Sequence, residues 1–182
     1  MTNGSFLISI SGQIEYITAL TTSGTSWHCK YELITGPDWK IVGGLELGLS
    51  QTVNITQNCS KIVLNYPIDI VYKSSNIFGW PQLILSVYEG FKLKGYGRIH
   101  IPIQTGVHLI DVSLARPQPS SLLGYFGTFF GYQPELLEPK MLAEDEGIGL
   151  IRMISSGEIR CSLNILTQNL VSLGYDVGLK RN

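Results

Sequence analysis

Short runs of apolar and β-branched residues recur along this 182-residue chain, with turn-forming residues between them. Several runs alternate apolar and polar positions, as at Phe6, Ile8 and Ile10, which is the period of a strand with one buried face. Many short strands separated by turns predict an all-β sandwich. The predicted strands are Phe6 to Ile10, Gln13 to Thr18, Cys29 to Ile34, Lys61 to Leu64, Pro67 to Lys73, Leu83 to Tyr88, Gly97 to Ile103, Val107 to Leu114, Leu150 to Ile154 and Glu158 to Leu166.

The last two runs are separated by Ser155-Ser156-Gly157, a sequence that predicts the turn of a β-hairpin. In the second of these runs the apolar residues again fall at every other position, so we expect one face of that strand in the core. The alternating residues are Ile159, Cys161, Leu163 and Ile165.

One segment has the period of a helix instead. After the stiff, extended connector Arg116-Pro117-Gln118-Pro119, either Ser120 or Ser121 is a suitable N-cap. The large apolar residues that follow have spacings of i, i+3, i+4, i+7 and i+8, which predicts a short helix near 120–131 with one aromatic face. These residues are Leu122, Tyr125, Phe126, Phe129 and Phe130. The sequence is consistent with three locations for this aromatic face: on the core, in a groove of a partner protein, or on a membrane surface.

The stretch from Tyr66 to Tyr88 joins two predicted strands through an aromatic loop. Gly79 permits a turn conformation that other residues resist, and Pro81 removes a donor at the start of the second strand. The loop therefore holds Phe78 and Trp80 in defined positions. We favour core positions for both, with exposed contacts as the alternative, since loop aromatics are enriched at binding hot spots.

This stretch also carries a family resemblance. The sequence Phe78-Gly79-Trp80-Pro81-Gln82, followed by Leu85-Ser86-Val87-Tyr88, Lys94-Gly95-Tyr96-Gly97 and Ile99-His100-Ile101-Pro102, resembles the B9 domain family of ciliary transition-zone proteins. Further matching segments extend the resemblance over almost the whole chain. These are Cys29-Lys30-Tyr31, Gly36-Pro37-Asp38-Trp39, Gly44 to Gln51, Pro134-Glu135, Glu138-Pro139-Lys140, Gly147 and Leu173-Gly174-Tyr175-Asp176. Leu47 departs from the pattern, because an acidic residue is expected after Glu46.

The resemblance implies a single C2-type antiparallel β-sandwich over residues 1–182, with the short helix as an appended insertion. It also implies a structural role in the Meckel syndrome module, where different B9 proteins associate, join transition-zone membrane proteins and support ciliogenesis and a ciliary diffusion barrier. The implied location is the cytoplasmic side of the transition zone and basal body. The implied partners are other B9 proteins, with membrane proteins contacted indirectly.

The composition narrows the expected partners, compartment and membrane relationship of the chain. The formal net charge is −1 and there is no cluster of lysine or arginine, so a nucleic-acid partner is not expected. Cys29, Cys59 and Cys161 are odd in number and widely spaced, which argues against a disulfide framework and favours a reducing compartment. No signal peptide and no apolar stretch of the ~20 residues that a membrane-spanning helix needs is visible.

Motifs for catalysis are absent, and we expect neither an enzyme nor a cofactor. His28, His100 and His108 lie in or beside strands, without an identified partner. A calcium site needs several converging carboxylates, whereas Asp38, Asp69, Asp111 and Asp176 are scattered and Glu144-Asp145-Glu146 reads as an exposed loop. The alternative to a scaffold is therefore a peripheral lipid-binding C2-type module that works without calcium.

Overall fold

The structure, a computed structural model, describes residues 4–118, 136, 139–143 and 153–175. Ten antiparallel strands form one continuous sheet whose order is β3-β6-β1-β10-β9-β8-β7-β2-β4, with β5 paired to β2. The strands are β1 Phe6–Thr18, β2 Ser26–Ile34, β3 Lys40–Gly44, β4 Leu47–Leu49, β5 Val53–Asn54, β6 Lys61–Ser74, β7 Gln82–Glu89, β8 Lys92–His100, β9 Gly106–Pro117 and β10 Met153–Gln168. The described residues also include the 3-10 turns Pro139–Leu142 and Val171–Leu173.

The sheet curls into two layers, which are joined between β8 and β9 by the bridge from Tyr96 to Ala115. The first layer contains β3, β6, β1, β10 and β9, and the second contains β8, β7, β2, β4 and β5. The all-β, C2-like sandwich that the alternation predicted is confirmed.

The core lies between the layers and is built from the alternating residues. The side chains of Phe6, Ile8 and Ile10 in β1 are completely buried, and so are those of Ile159 and Leu163 in β10. Burial of each of these side chains contributes about 1.5–3 kcal/mol to the stability of the fold. The alternating residues are therefore the main source of stability. Polar residues at the intervening positions remain on the outer faces.

Four predicted runs merge into two long strands. Phe6 to Ile10 and Gln13 to Thr18 are both part of β1, and Lys61 to Leu64 and Pro67 to Lys73 are both part of β6. The register of the β1–β6 pair shifts between Ile14 and Tyr16. A β-bulge therefore interrupts β6 between Val63 and Tyr66 without ending the strand, which is why that part of the sequence looked like two strands. In β1 the predicted gap lies at Ser11-Gly12, where the pairing with β6 and β10 is regular.

The predicted hairpin at Ser155-Ser156-Gly157 is wrong. These residues lie inside β10, where the register with β9 shifts between Ser155 and Gly157. Glycine and small polar residues are favoured both in turns and at β-bulges. Ser155-Ser156-Gly157 therefore marks an irregularity in the strand, which is a bulge and not a turn. The chain continues in the same direction instead of reversing.

The outer face of the second layer carries a second apolar cluster. Ile84, Leu93 and Tyr96 are buried there beneath Leu142. Arg98 holds that covering turn by donating from Nη1 to the carbonyl oxygen of Leu142 at 2.7 Å. Residues 139–143 therefore shield one outer face. The helix predicted near 120–131, with Leu122, Tyr125, Phe126, Phe129 and Phe130, lies outside the described residues.

Candidate interaction surface

The two layers are connected on one side of the sandwich by the short crossover between β3 and β4. Gly44 makes the turn with φ +91°, a conformation that favours glycine, and Leu45 and Glu46 then cross to the other layer. Leu33 donates its backbone N–H to the carbonyl oxygen of Glu46 at 2.7 Å. The crossover is therefore tied directly to strand β2.

Buried polar groups fix the crossover from both layers. The hydroxyl of Tyr72 in β6 donates to the Glu46 carboxylate at 3.2 Å. The hydroxyl of Tyr31 in β2 lies 3.4 Å from the carbonyl oxygen of Leu45. Burial raises the pKa of both tyrosines, and the neighbouring Glu46 raises the pKa of Tyr72 further, so both hydroxyls remain protonated donors.

Large apolar side chains project from this side into solvent. Between 48% and 69% of each is exposed, on a stretch of ten residues whose charged members are Lys40 and Glu46. Exposed apolar surface that is concentrated in one short segment is typical of a protein interaction site. We call this surface the β3–β4 side, and its apolar members are Ile41, Val42, Leu45, Leu47 and Leu49.

The strands behind this surface explain why the leucines point outward. Leu47 pairs with Glu32 and Leu49 pairs with Lys30, and directly opposed residues share a face of the sheet. Tyr31, between those two partners, points into the core. The alternation therefore puts Leu47 and Leu49 on the outer face. The sequence signal was the alternation of leucine in the segment from Leu45 to Leu49, which was read only as a family motif.

Phe78 and Trp80 lie at one end of the sandwich, in the loop before β7, and the structure separates them. Trp80 is half-buried, stacks on Phe6 and donates from Nε1 to the carbonyl oxygen of Ile101 at 2.8 Å. The side chain of Phe78 is 73% exposed, while its carbonyl oxygen accepts from Nε1 of Trp39 at 2.8 Å. A core position for Phe78 is therefore wrong, because the loop uses its backbone and not its ring as the anchor.

Two of the motifs that carry the family resemblance meet at this end, one in the loop between β2 and β3 and the other in the loop between β6 and β7. Gly36 donates its backbone N–H to the carbonyl oxygen of Gly79 at 2.9 Å, and the two backbones are too close for a side chain on either residue. Gly79 has φ +70°, which confirms the predicted turn. The Phe78-to-Gln82 and Gly36-to-Trp39 motifs thus build one structural corner. Of the candidate contact residues, the structure places Phe78 on the surface and Trp80 beneath it.

Two apolar residues that the sequence reading overlooked are at the opposite end. Phe91, at the tip of the β7–β8 turn beside Lys92, is fully exposed, and Leu20, in the β1–β2 loop, is 95% exposed. Gly90 donates its backbone N–H to the carbonyl oxygen of Ser26 at 2.7 Å, which brings the β7–β8 turn next to the start of β2. Both side chains therefore project from the same end.

Groups with acid–base or metal chemistry are dispersed. Burial raises the pKa of the Cys29 thiol, and raises the pKa of Cys161 to about 12, so both core thiols stay protonated and unreactive. Within the described ranges, no group of three His, Cys, Asp or Glu residues comes together as a metal site. Across the same ranges, no helix is long and apolar enough to cross a membrane.

Comparison with known proteins places the chain in a family. Residues 8–166 match the family model described as ciliary basal body-associated B9 protein. The chain is 37% identical to B9 domain-containing protein 1 of Mus musculus over 180 residues, which is 95% of this chain and 87% of the relative. The Xenopus laevis protein of the same name is also 37% identical, over 95% of this chain and 90% of the relative.

A second group of relatives is more distant. B9 domain-containing protein 2 of Bos taurus is 28% identical over 174 residues, covering 93% of this chain and 98% of the relative. The match therefore extends over the whole sandwich, including the β3–β4 crossover and the corner built by Gly36 and Gly79. The chain belongs to the ciliary basal body-associated B9 protein family.

Proposed function

We propose that this chain is a non-enzymatic scaffold subunit of the ciliary transition zone that binds other B9 proteins through its β3–β4 side. Membership in a ciliary family and the existence of two groups of B9 relatives support a role among related partners. Such a complex would support ciliogenesis and the ciliary diffusion barrier, with transition-zone membrane proteins contacted through it. Its location would be the cytoplasmic side of the transition zone.

The observation that carries the proposal is the apolar β3–β4 side. Short edge strands normally protect themselves with charges, whereas β3, β4 and the crossover between them expose apolar side chains. These are Ile41, Val42, Leu45, Leu47 and Leu49. Interface cores are depleted in charge and enriched in such anchors. The crossover is held from both layers by Tyr31 and Tyr72, so the leucines are fixed before a partner arrives. A pre-organised surface loses less conformational entropy on binding.

The test is co-expression of this chain with the other two B9 proteins of its organism, followed by affinity purification and light scattering. We expect a stable heteromer of defined mass. The double variant Leu45→Asp, Leu47→Asp should weaken its formation at least about a hundredfold, because two apolar anchors of roughly 2 kcal/mol each are replaced by charge.

The matched control is the double variant Val107→Asp, Leu109→Asp. These side chains are 71% and 68% exposed on β9, far from the crossover, and the number of new charges is the same. Heteromer formation should remain as in the wild type. The proposal is contradicted if the chain stays monomeric with both partners. It is also contradicted if the Leu45→Asp, Leu47→Asp variant forms the heteromer as well as the wild type does.

A second candidate function is peripheral lipid binding without calcium. It is favoured by Phe91 and Leu20, which project fully into solvent from one end of a C2-like sandwich, with Lys92 beside Phe91. An aromatic ring flanked by a cation is suited to the headgroup boundary of an anionic membrane.

Co-sedimentation with vesicles of phosphatidylcholine and phosphatidylserine in a calcium chelator tests this candidate. Phe91→Asp should abolish binding, while Phe78→Asp, at the opposite end, should leave it unchanged. Equal pelleting of the wild type and Phe91→Asp would exclude this end as the membrane contact.

A further inference from the structure

The β3–β4 side is bordered by lysines that have no counter-charge within the chain. Lys40 begins β3 and lies directly opposite Lys73 of β6, and directly opposed residues share a face of the sheet. Lys30 of β2 lies opposite Leu49, one of the exposed leucines. Across the part of the chain that the structure describes, none of the three makes an ion pair. We call these three residues the lysine border.

The pairing of Lys40 with Lys73 is unfavourable for the chain alone. The Cβ atoms of directly opposed residues lie about 4.5–5.5 Å apart, and like charges at that separation repel. Both side chains are exposed, so water and salt reduce the repulsion without removing it. The carboxylate of β6, Asp69, is four residues from Lys73, which is roughly 13 Å along the strand. One lysine is enough to discourage edge-to-edge pairing of β3, so the fold gains nothing from two.

The carboxylates near this surface are held by other groups of the chain. Glu46 accepts a hydrogen bond from the hydroxyl of Tyr72 at 3.2 Å. Glu32 forms an ion pair with Lys140, with 3.3 Å between Oε1 and Nζ. Asp38, in the loop before β3, accepts from a side-chain amide of the β6–β7 loop at 3.3 Å. The acidic groups are therefore used internally, while the lysine border is left for a group from outside the chain.

The exposed apolar side chains lie between these charges. Along the chain Lys40 precedes Ile41 and Val42, and Lys30 is the cross-strand neighbour of Leu49. The formal net charge of the chain is −1, so the positive border is a local feature and not a consequence of the overall composition. Protein interfaces combine an apolar centre with a polar rim. A partner that covers the leucines therefore meets lysine at both ends of the surface, where its own cations would be repelled.

We infer that the partner protein presents an apolar centre flanked by aspartate or glutamate side chains, which pair with Lys40 and Lys73 at one end and with Lys30 at the other. The inference rests on the proposed scaffold function, because it specifies the partner of the same surface. A carboxylate between Lys40 and Lys73 removes their mutual repulsion, so this pair attracts an acidic group more strongly than one lysine would. The lysine border then selects the partner and speeds its approach, while the leucines hold it.

Zero-length cross-linking tests the contact in the complex of this chain with the B9 protein of its organism that co-purifies with it. A carbodiimide joins a lysine Nζ to a neighbouring carboxyl carbon as an amide, with loss of water. Mass spectrometry of the digested complex should find Lys40 or Lys73 joined to an aspartate or glutamate of the partner. Absence of both links overturns the inference, whether or not the exposed Lys61 and Lys92 react with the partner.

Charge reversal measures the contribution of the lysines to partner association. In about 50 mM salt the Lys40→Glu, Lys73→Glu variant should associate with the same partner about tenfold more slowly than the wild type, in stopped-flow fluorescence. The difference should shrink to within about twofold in about 0.5 M salt, because salt screens the charges. The matched control is Lys61→Glu, Lys92→Glu, which makes the same change in net charge on exposed residues away from this surface. Its association rate should stay within about twofold of the wild type.

The single variant Lys40→Glu separates binding from folding. Its new carboxylate would face Lys73 across the β3–β6 pair, so the urea midpoint should be no lower than that of the wild type. Association with the partner should nevertheless be slower. A lower midpoint would contradict the repulsion between the two lysines, and an unchanged association rate would contradict the acidic partner surface.

The results distinguish this inference from the scaffold function on which it rests. If Leu45→Asp, Leu47→Asp prevents the heteromer but reversal of Lys40 and Lys73 leaves the association rate unchanged, the scaffold function stands and the acidic partner surface is wrong. If the wild type forms no heteromer with either B9 protein, both are overturned.

Discussion

The β3–β4 side and the β8–β9 side of the sandwich differ in how the edges of the two layers are joined. Every layer has an edge with unpaired backbone groups, and exposed edges invite association. On the β3–β4 side a covalent crossover joins the layers and presents apolar side chains. On the β8–β9 side the layers meet at the Tyr96–Ala115 bridge. The first side presents exposed apolar side chains, whereas the second joins the layers through one pair of residues.

The largest effect on stability among the substitutions that test this comparison is expected at Gly44, on the β3–β4 side. A side chain there would collide with the backbone of Asp69 and Ile70, at a φ of +91° that only glycine adopts freely. Gly44→Val should therefore lower the free energy of unfolding by about 3 kcal/mol or more, measured by urea denaturation. Gly43→Val is the control, because space around that position is open, and a change above about 0.5 kcal/mol there would contradict this geometry.

Cysteine footprinting compares the two sides directly. In a Cys59→Ser background, which removes the exposed thiol, Leu47→Cys and Ser113→Cys place one reactive thiol on each side. With a B9 partner at about ten times its Kd, maleimide labelling of the Leu47→Cys protein should slow about tenfold, because only the free fraction reacts. The Ser113→Cys protein should label at an unchanged rate. Protection of both thiols, or of Ser113→Cys alone, would reverse the assignment of the sides.

A smaller effect is expected from the bond that pins the crossover. Tyr72→Phe removes the hydroxyl that donates to Glu46, and it should lower the free energy of unfolding by about 1–2 kcal/mol. Tyr16→Phe, whose ring and not its hydroxyl contacts Lys61, should be nearly neutral. If both variants unfold at the same urea concentration, Tyr72 does not fix the crossover.

The smallest effect belongs to the Asp111–Arg160 pair, which is exposed to solvent and therefore weak. Because Arg160 lowers the pKa of Asp111 in the folded chain, the stability from this pair is present above the ordinary carboxyl pKa of 3.8 and is lost as the pH falls below it. The difference in urea midpoint between the wild type and Arg160→Gln should be small at pH 7. It should vanish at about pH 2 and shrink in 0.5 M salt. A difference that grows on acidification would contradict the sign.

Sequence alone identified the segments that build the core, but not the continuity of the strands. Burial repeats every second residue from Phe6 to Ile10 in β1 and from Ile159 to Ile165 in β10, so period two reports it there, whereas the regularly paired Ser11-Gly12 in β1 and the bulge in β10 were read as breaks. The short strands β3, β4 and β5 were not predicted as strands. Their pairing depends on neighbours distant in sequence, as when Leu47 meets Glu32, and two to five residues carry too little local pattern.

The candidate surfaces were harder to predict than the fold. Phe78 and Trp80 are two positions apart in one motif, yet one ring faces solvent and the other faces the core, because tertiary hydrogen bonds set the loop. The limited pairing of β8 with β9 gives no sequence signal, since two consecutive strands with a short connection resemble an ordinary hairpin. In the structure Ile101, which follows β8, donates its backbone N–H to the carbonyl oxygen of Pro81.

The position of β1 has a consequence for biogenesis. It lies between β6 and β10, so the first of the described strands to be synthesised completes its pairing with the last of them. During translation the apolar face of Phe6, Ile8 and Ile10 has no finished layer to enter. Non-local pairing of this kind folds slowly and leaves a nascent chain open to aggregation.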